Sequence, residues 1–182
     1  MKAELGQIGE CIAAHRLKKL GYNVWTPRDF IRMVELAALY YTIEGECREE
    51  PKTPLTFTLA TPAGYVAVTY WQGRCLDAAG RPASLIEASV YAPCIKKCIE
   101  AGLGRLLELL KPHWRDLLQH KSALATIDLF AEKDGVLYAV EVKTNEGKLS
   151  KAQVEKTLVF RNFKHLAVRV YLQNPLVEIK TL

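Results

Sequence analysis

The sequence predicts an α/β protein in which a mixed β-sheet is flanked by helices and a large α+β segment is inserted into the chain. Three observations carry this. Residues 3–20 repeat apolar side chains at helical spacing. Residues 123–143 alternate on both sides of Asp134-Gly135, a strong hairpin signal. Residues 151–182 read as a helix followed by two strands. The pattern changes character between 28 and 122. The expected core is therefore 1–27 with 123–182, and 28–122 is an inserted subdomain.

The first helix places Leu5, Ile8, Ile12, Ala13, Leu17 and Leu20 on one broad arc, with Glu10 at its edge. Gly21 ends it, in the position where glycine closes helices. Tyr22 to Thr26 is a short strand stopped by Pro27. Within the insertion a helix is expected over 30–41. Strands follow at 55–60 and 64–72 around a Thr61-Pro62-Ala63-Gly64 turn. A helix is expected over 84–110, weakened by Gly102 and Gly104, and another from Pro112 to about His120. After the hairpin, Ser150 supplies an N-cap for a helix over about 151–162, followed by strands at 165–172 and 176–181.

Hydrophobic residues make up 49% of the chain and charged residues 25%, the balance of a globular protein able to bury a core. No apolar run approaches the roughly 20 residues a membrane span needs. Glu4 and Glu10 fall where a signal peptide would be apolar, so an intracellular protein without a membrane partner is expected. The five cysteines, Cys11, Cys47, Cys75, Cys94 and Cys98, lack CxxC spacing and are expected as free buried thiols. A Zn²⁺ or iron–sulfur site among the four between 47 and 98, or disulfides, are the alternatives. His15, His113, His120 and His165 share no ligand spacing, which argues against a histidine-based hydrolase.

The hairpin carries the chemistry. With Asp134-Gly135 as a two-residue turn, Asp128 falls directly opposite Glu141 on the same face. Opposed Cβ atoms stand roughly 5 Å apart, and like charges placed so destabilise a sheet. A divalent cation such as Mg²⁺ resolves the conflict, because it takes carboxylate oxygens and brings its own charge. Alternation puts Lys143 on the face of Glu141, while Tyr138, Val140 and Val142 point into a core. Two carboxylates and an ammonium on one face are the parts of a metal-dependent phosphodiesterase site.

The charge distribution fits that reading. The chain carries a formal +5. Between 143 and 169, Lys143, Lys148, Lys151, Lys156, Arg161, Lys164 and Arg169 stand against only Glu146 and Glu155. Basic charge beside an acidic metal site suits a polyanionic substrate.

Gly6-Gln7-Ile8-Gly9-Glu10, Gly21-Tyr22-Asn23-Val24, Asp128, Glu141-Val142-Lys143 and Gln153 together resemble the PD-(D/E)xK nuclease superfamily. Within it the chain is most similar to archaeal Holliday junction resolvases and related archaeal or viral nucleases. The resemblance covers about residues 1–26 and 123–174 and departs from the motif's name at Ile127, where proline is the namesake. It implies a restriction-endonuclease-like fold with an αβββαβ core, and a cytoplasmic setting in an archaeal or virus-infected archaeal cell. It implies that Asp128 and Glu141 ligate Mg²⁺ or Mn²⁺, with the Val142 carbonyl as a third ligand. Lys143 would orient the attacking water or stabilise the pentacovalent phosphate. Glu10 would hold a metal or its water, and Gln153 would orient the site from the next helix.

The expectation is a Mg²⁺-dependent DNA endonuclease, structure-specific in the manner of a Holliday junction resolvase, that needs no small-molecule cofactor. Lys148, Lys151, Lys156 and Arg161 would grip DNA through its phosphates, so binding should weaken steeply with salt. Paired cuts would require a homodimer. The rival is a catalytically inactive nucleic-acid-binding protein that keeps the nuclease fold.

Overall fold

The computed structural model describes residues 2–61, 64–145, 163–171 and 177–181. The chain forms two compact units, residues 1–31 with 121–182 and residues 32–120. The first opens with α1 (Lys2–Lys19) and β1 (Asn23–Trp25) and takes the start of α2 (Pro27–Thr42). The second holds the rest of α2, then β2 (Leu55–Thr61), β3 (Gly64–Trp71), β4 (Arg74–Leu76) and β5 (Arg81–Pro82). It continues with α3 (Leu85–Tyr91), a 3-10 turn (Ala92–Cys94), α4 (Ile95–Leu103), α5 (Arg105–Leu110) and α6 (Trp114–Gln119). The chain returns to the first unit with α7 (Lys121–Leu124), β6 (Leu129–Lys133), β7 (Val136–Thr144), β8 (Lys164–Val170) and β9 (Val177–Thr181). The protein is thus mixed α/β, with two sheets that each contain both parallel and antiparallel pairs.

In the first unit the sheet order is β1-β6-β7-β8-β9. All neighbours are antiparallel except β7 and β8, whose parallel pairing requires a crossover through residues 145–163. The helix expected over 151–162, with Gln153, Lys151, Lys156 and Arg161, and the loop residue Lys148, lies outside the described residues. Ala13 and Leu17 of α1 pack on Leu129, Val140, Val142, Leu166 and Val168, which form one face of the sheet. Phe30, from the start of α2, stacks on Phe130 with centroids 4.1 Å apart, and Phe163 meets both rings edge-on. Strand alternation puts Phe130 on the face opposite Leu129, so these rings line the second face.

Local chemistry ends and starts these helices. Tyr22 N–H donates to the Leu17 carbonyl and Gly21 N–H to that of Lys18, with Gly21 at φ +86°, which is the glycine-closed C-terminus the sequence announces. Pro27 opens α2, where its missing N–H costs nothing, and the Thr26 hydroxyl accepts from Asp29 N–H.

The buried seam of α1 is narrower than the expected arc. Leu5, Ile8 and Leu20 are 40%, 49% and 40% exposed, whereas Ala13 and Leu17 are fully buried. Gly9, Ala13 and Leu17 recur every four residues, and the helix approaches the sheet along that line. A Cβ at position 9 would overlap the Thr144 methyl and touch Val142.

Three further expectations are corrected. The helix over 84–110 is broken into α3, the 3-10 turn, α4 and α5, because Pro93 interrupts it and Gly104 takes φ +48°. Residues before Asp128 form a helical turn, not a strand, and β6 starts at Leu129. The cysteines of the insertion are not free thiols: Cys47 is bonded to Cys94 and Cys75 to Cys98, leaving only Cys11 unpaired. Cys94 precedes α4 and Cys98 lies one turn into it, so this helix anchors the loop before β2 through one bridge and edge strand β4 through the other. No helix among the described residues is long and apolar enough to cross a membrane.

The Gly9 seam sets a test. Gly9→Ala gains about 1 kcal/mol of helix propensity but overpacks the contact with Thr144 by about 1–3 kcal/mol. A net loss of stability is expected on urea unfolding. Adding Thr144→Ser, which removes the overlapped methyl, should recover more stability in the Gly9→Ala background than the serine change gains alone. Equal effects in both backgrounds would show that the seam is not close-packed.

Candidate functional site

The site is built on the β6–β7 ribbon. Asp134 and Gly135 both take positive φ, +53° and +81°, the conformation of a two-residue turn matched to strand twist. The pairing runs from Lys133↔Val136 to Leu129↔Val140 without a bulge. Its next step sets Asp128, one residue before β6, against Glu141. Glu132 clasps the turn from below. It is 4% exposed, its Oε1 accepts from Gly135 N–H at 2.8 Å, and its Oε2 accepts from the Asn23 amide at 2.7 Å.

Asp128, Glu141 and Lys143 meet on the second face of the sheet, the face of the Phe30–Phe130–Phe163 rings. Asp128 Oδ2 accepts from Val142 N–H at 2.7 Å. Lys143 Nζ donates to Glu141 Oε1 at 2.8 Å. The two carboxyl groups lie within hydrogen-bonding reach of each other across the ribbon. Burial raises the proton affinity of Asp128, while the Val142 N–H and the Lys143 ammonium draw it back. Burial also raises Glu141, which Lys143 lowers and the neighbouring Asp128 raises again. Glu10 on α1 is raised by burial first, then by the charges of Asp128 and Glu141. The helix therefore presents Glu10 to the same field, and the close approach at Gly9 is what holds it there.

The donor set fits a hard divalent cation. Asp128, Glu141 and Glu10 offer only oxygens; burial leads the causes that raise all three, and neighbouring carboxylates add to it at Glu141 and Glu10. A strand residue directs its N–H and C=O to the same side. Val142, whose N–H reaches Asp128, thus turns its carbonyl toward the same edge. The three carboxylates do not bring one oxygen each within 4.8 Å of one another; among the described residues only Cys47, Glu50 and Cys94 do so with their donor atoms. Mg²⁺ commonly keeps several waters, so a pair of carboxylates suffices to hold it.

Of the residues singled out from sequence, the structure brings Glu10, Asp128, Glu141, Val142 and Lys143 together; Gln153, Lys148, Lys151, Lys156 and Arg161 lie outside the described residues. Sequence reasoning missed the packing role of Gly9, and it missed Glu132. The small residues Gly9 and Ala13, four apart, were the signal for the first. A lone carboxylate in an apolar strand two residues before Asp134-Gly135 was the signal for the second. The net charge is also divided unevenly. Residues 32–120 hold ten Lys and Arg against ten Asp and Glu, so the first unit, with fifteen against ten, carries all of the +5.

No family model matches the chain, and no curated protein or solved structure is significantly similar to it.

A carboxyl whose proton affinity is raised by folding stabilises the native state below its unfolded pKa and loses that contribution as pH rises through the folded value. For Asp128 and Glu141 the loss begins near the ordinary values of 3.8 and 4.5 and extends above them. Metal-free protein should therefore gain stability at pH 7 from Asp128→Asn or Glu141→Gln, by up to about 1 kcal/mol, the scale of an opposed like-charge pair. The gain should vanish near pH 4. Thermal melts in chelator at both pH values check this, and a loss at pH 7 would show that the pair is not in conflict.

Proposed function

We propose that the protein is a Mg²⁺- or Mn²⁺-dependent DNA endonuclease of the PD-(D/E)xK type. The observation that carries the reading is the contact of Asp128 with Glu141 across the ribbon, with Lys143 hydrogen-bonded to Glu141 on the same face. Two half-buried carboxylates set against each other destabilise an apo protein, and an ammonium alone does not offset both charges. The order helix, three antiparallel strands, crossover and parallel strand supports a restriction-endonuclease-like core. The confinement of the net positive charge to that unit supports a polyanionic substrate.

Asp128, Glu141 and the Val142 carbonyl would hold the cation. When bound, it supplies a more acidic water and positive charge at the phosphate. The chain's own residues do the rest. Val142 N–H fixes the Asp128 carboxylate, so its rotamer does not need to be found on binding. Glu141 keeps Lys143 aimed along the site face, where the ammonium meets charge developing on the phosphate oxygens. Glu10 orients the attacking water or takes its proton. Lys148, Lys151, Lys156 and Arg161 would carry the DNA backbone, with Gln153 orienting the site, and a homodimer would give paired cuts.

A cleavage panel of four-way junction, flap, duplex and single-stranded DNA, with Mg²⁺ or Mn²⁺, tests this. Cleavage of at least one substrate is expected, ending in 5′-phosphate and 3′-hydroxyl. Glu141→Ala and Lys143→Ala should each lower the rate by about 10²-fold or more while leaving the fold intact by circular dichroism. DNA binding without cleavage in any metal would instead assign the non-catalytic binder. Cleavage that survives Glu141→Ala would remove the site.

A further inference from the structure

In the second unit, two oxygens crowd the Cys47–Cys94 bridge. Glu50 Oε1 lies 3.5 Å from Cys47 Sγ. The Glu49 carbonyl oxygen lies 3.2 Å from Cys94 Sγ and 3.8 Å from Cys47 Sγ. Bridged sulfurs carry no proton, so these sulfur–oxygen contacts have no hydrogen between them. The donor atoms of Cys47, Glu50 and Cys94 lie within 4.8 Å of one another, which no other set of metal-ligating side chains achieves among the described residues. A sulfur and an oxygen bound to one tetrahedral Zn²⁺, at about 2.3 and 2.0 Å, stand about 3.5 Å apart. The sulfur–oxygen distances around the bridge are therefore those of a zinc coordination shell, and the two bonded sulfurs would part to about 3.8 Å once the bridge opens around an ion.

The surroundings suit this. The Tyr70 hydroxyl donates to Glu50 Oε2 at 2.6 Å and Lys97 Nζ to Oε1 at 2.8 Å, fixing the carboxylate as outer partners fix metal ligands. Cys94 stands at the N-terminus of α4, a position that favours thiolate over thiol. Two thiolates, the Glu50 carboxylate, Zn²⁺ and the Lys97 ammonium sum to zero charge. Among the described residues, Cys75–Cys98, the other bridge, belongs to no such ligand set.

We propose that the Cys47–Cys94 bridge is the oxidised form of a zinc site, in which Cys47 Sγ, Cys94 Sγ and Glu50 Oε1 bind one Zn²⁺ with the Glu49 carbonyl as fourth donor. Opening the bridge takes two electrons. Two molecules of a thiol reductant each give up a hydrogen atom, the S–S bond breaks into two Cys thiols, and the reductant leaves as its own disulfide. Zn²⁺ then displaces two protons from the thiols. The site is independent of the carboxylates on the β6–β7 ribbon and of the nuclease reading.

The full chain, reduced with a phosphine under anaerobic conditions, is titrated with Co²⁺ and then with Zn²⁺. One Co²⁺ with a thiolate-to-cobalt charge-transfer band is expected, displaced by one equivalent of Zn²⁺, and oxidised protein should show no band. The carboxylates of Asp128 and Glu141 cannot give that band, because they hold no sulfur. The double variant Cys75→Ala/Cys98→Ala should keep the band, and Cys47→Ser should lose it. Glu50→Gln leaves both thiols in place and should weaken Zn²⁺ binding roughly tenfold or more, which serves if the serine variant does not fold. No band in reduced, folded protein, a band that survives Cys47→Ser, or unchanged affinity in Glu50→Gln overturns the proposal.

Discussion

A two-residue turn with both residues in the left-handed region permits one pairing of the strands it joins, and everything at the candidate site follows from that pairing. A slip of a single residue in β6 against β7 would carry each side chain to the other face. Asp128 would then meet the α1 seam, and Phe130 would leave its ring partners. Asp134 and Gly135 prevent the slip from one end of the ribbon, and the Val142 N–H bond to Asp128 holds the other. Glu132 reinforces the first end by accepting from Gly135 while reaching Asn23 on β1, so the turn and the edge strand share one buried carboxylate.

The same ribbon separates two kinds of environment by strand alternation alone. One face receives Ala13 and Leu17 and is closed to water. The other carries aromatic rings at Phe130 and then, two residues along, the first carboxylate. Apolar surface next to Asp128 and Glu141 is why burial leads the causes that raise them. α1 adds the third acid from across the edge, and only because glycine at position 9 lets the helix lie against Thr144. Packing on one face thereby sets the electrostatics on the other.

Much of this was legible in the chain. Asp-Gly between alternating runs fixes the ribbon without tertiary information, and the opposition of Asp128 and Glu141 is arithmetic once the turn is known. Gly21 and Pro27 likewise mark helix boundaries by backbone chemistry alone. The division of the chain reads as 27/28 and 122/123 in sequence and 31/32 and 120/121 in the structure, because α2 begins in one unit and continues in the other. What was not legible depends on contacts far along the chain. The α1 arc counts apolar residues, yet burial follows the small ones, because close approach needs the absence of side chain. The cysteine pairings could not be read either. Spacing shows that Cys94 and Cys98 share a helix side, but the partners at 47 and 75 come from a loop and a strand that fold back independently.

Trp25 and Phe130 are register partners, although the whole second unit lies between them in the chain. The β1–β6 pair therefore already closes the main sheet on that side, whatever length of polypeptide links its ends. Lengthening such a link raises the entropy of closure only logarithmically. A segment of this size is thus an appendage on a hairpin that is complete without it, which leaves its composition, its bridges and its neutral charge free to change while the carboxylate ribbon stays as it is.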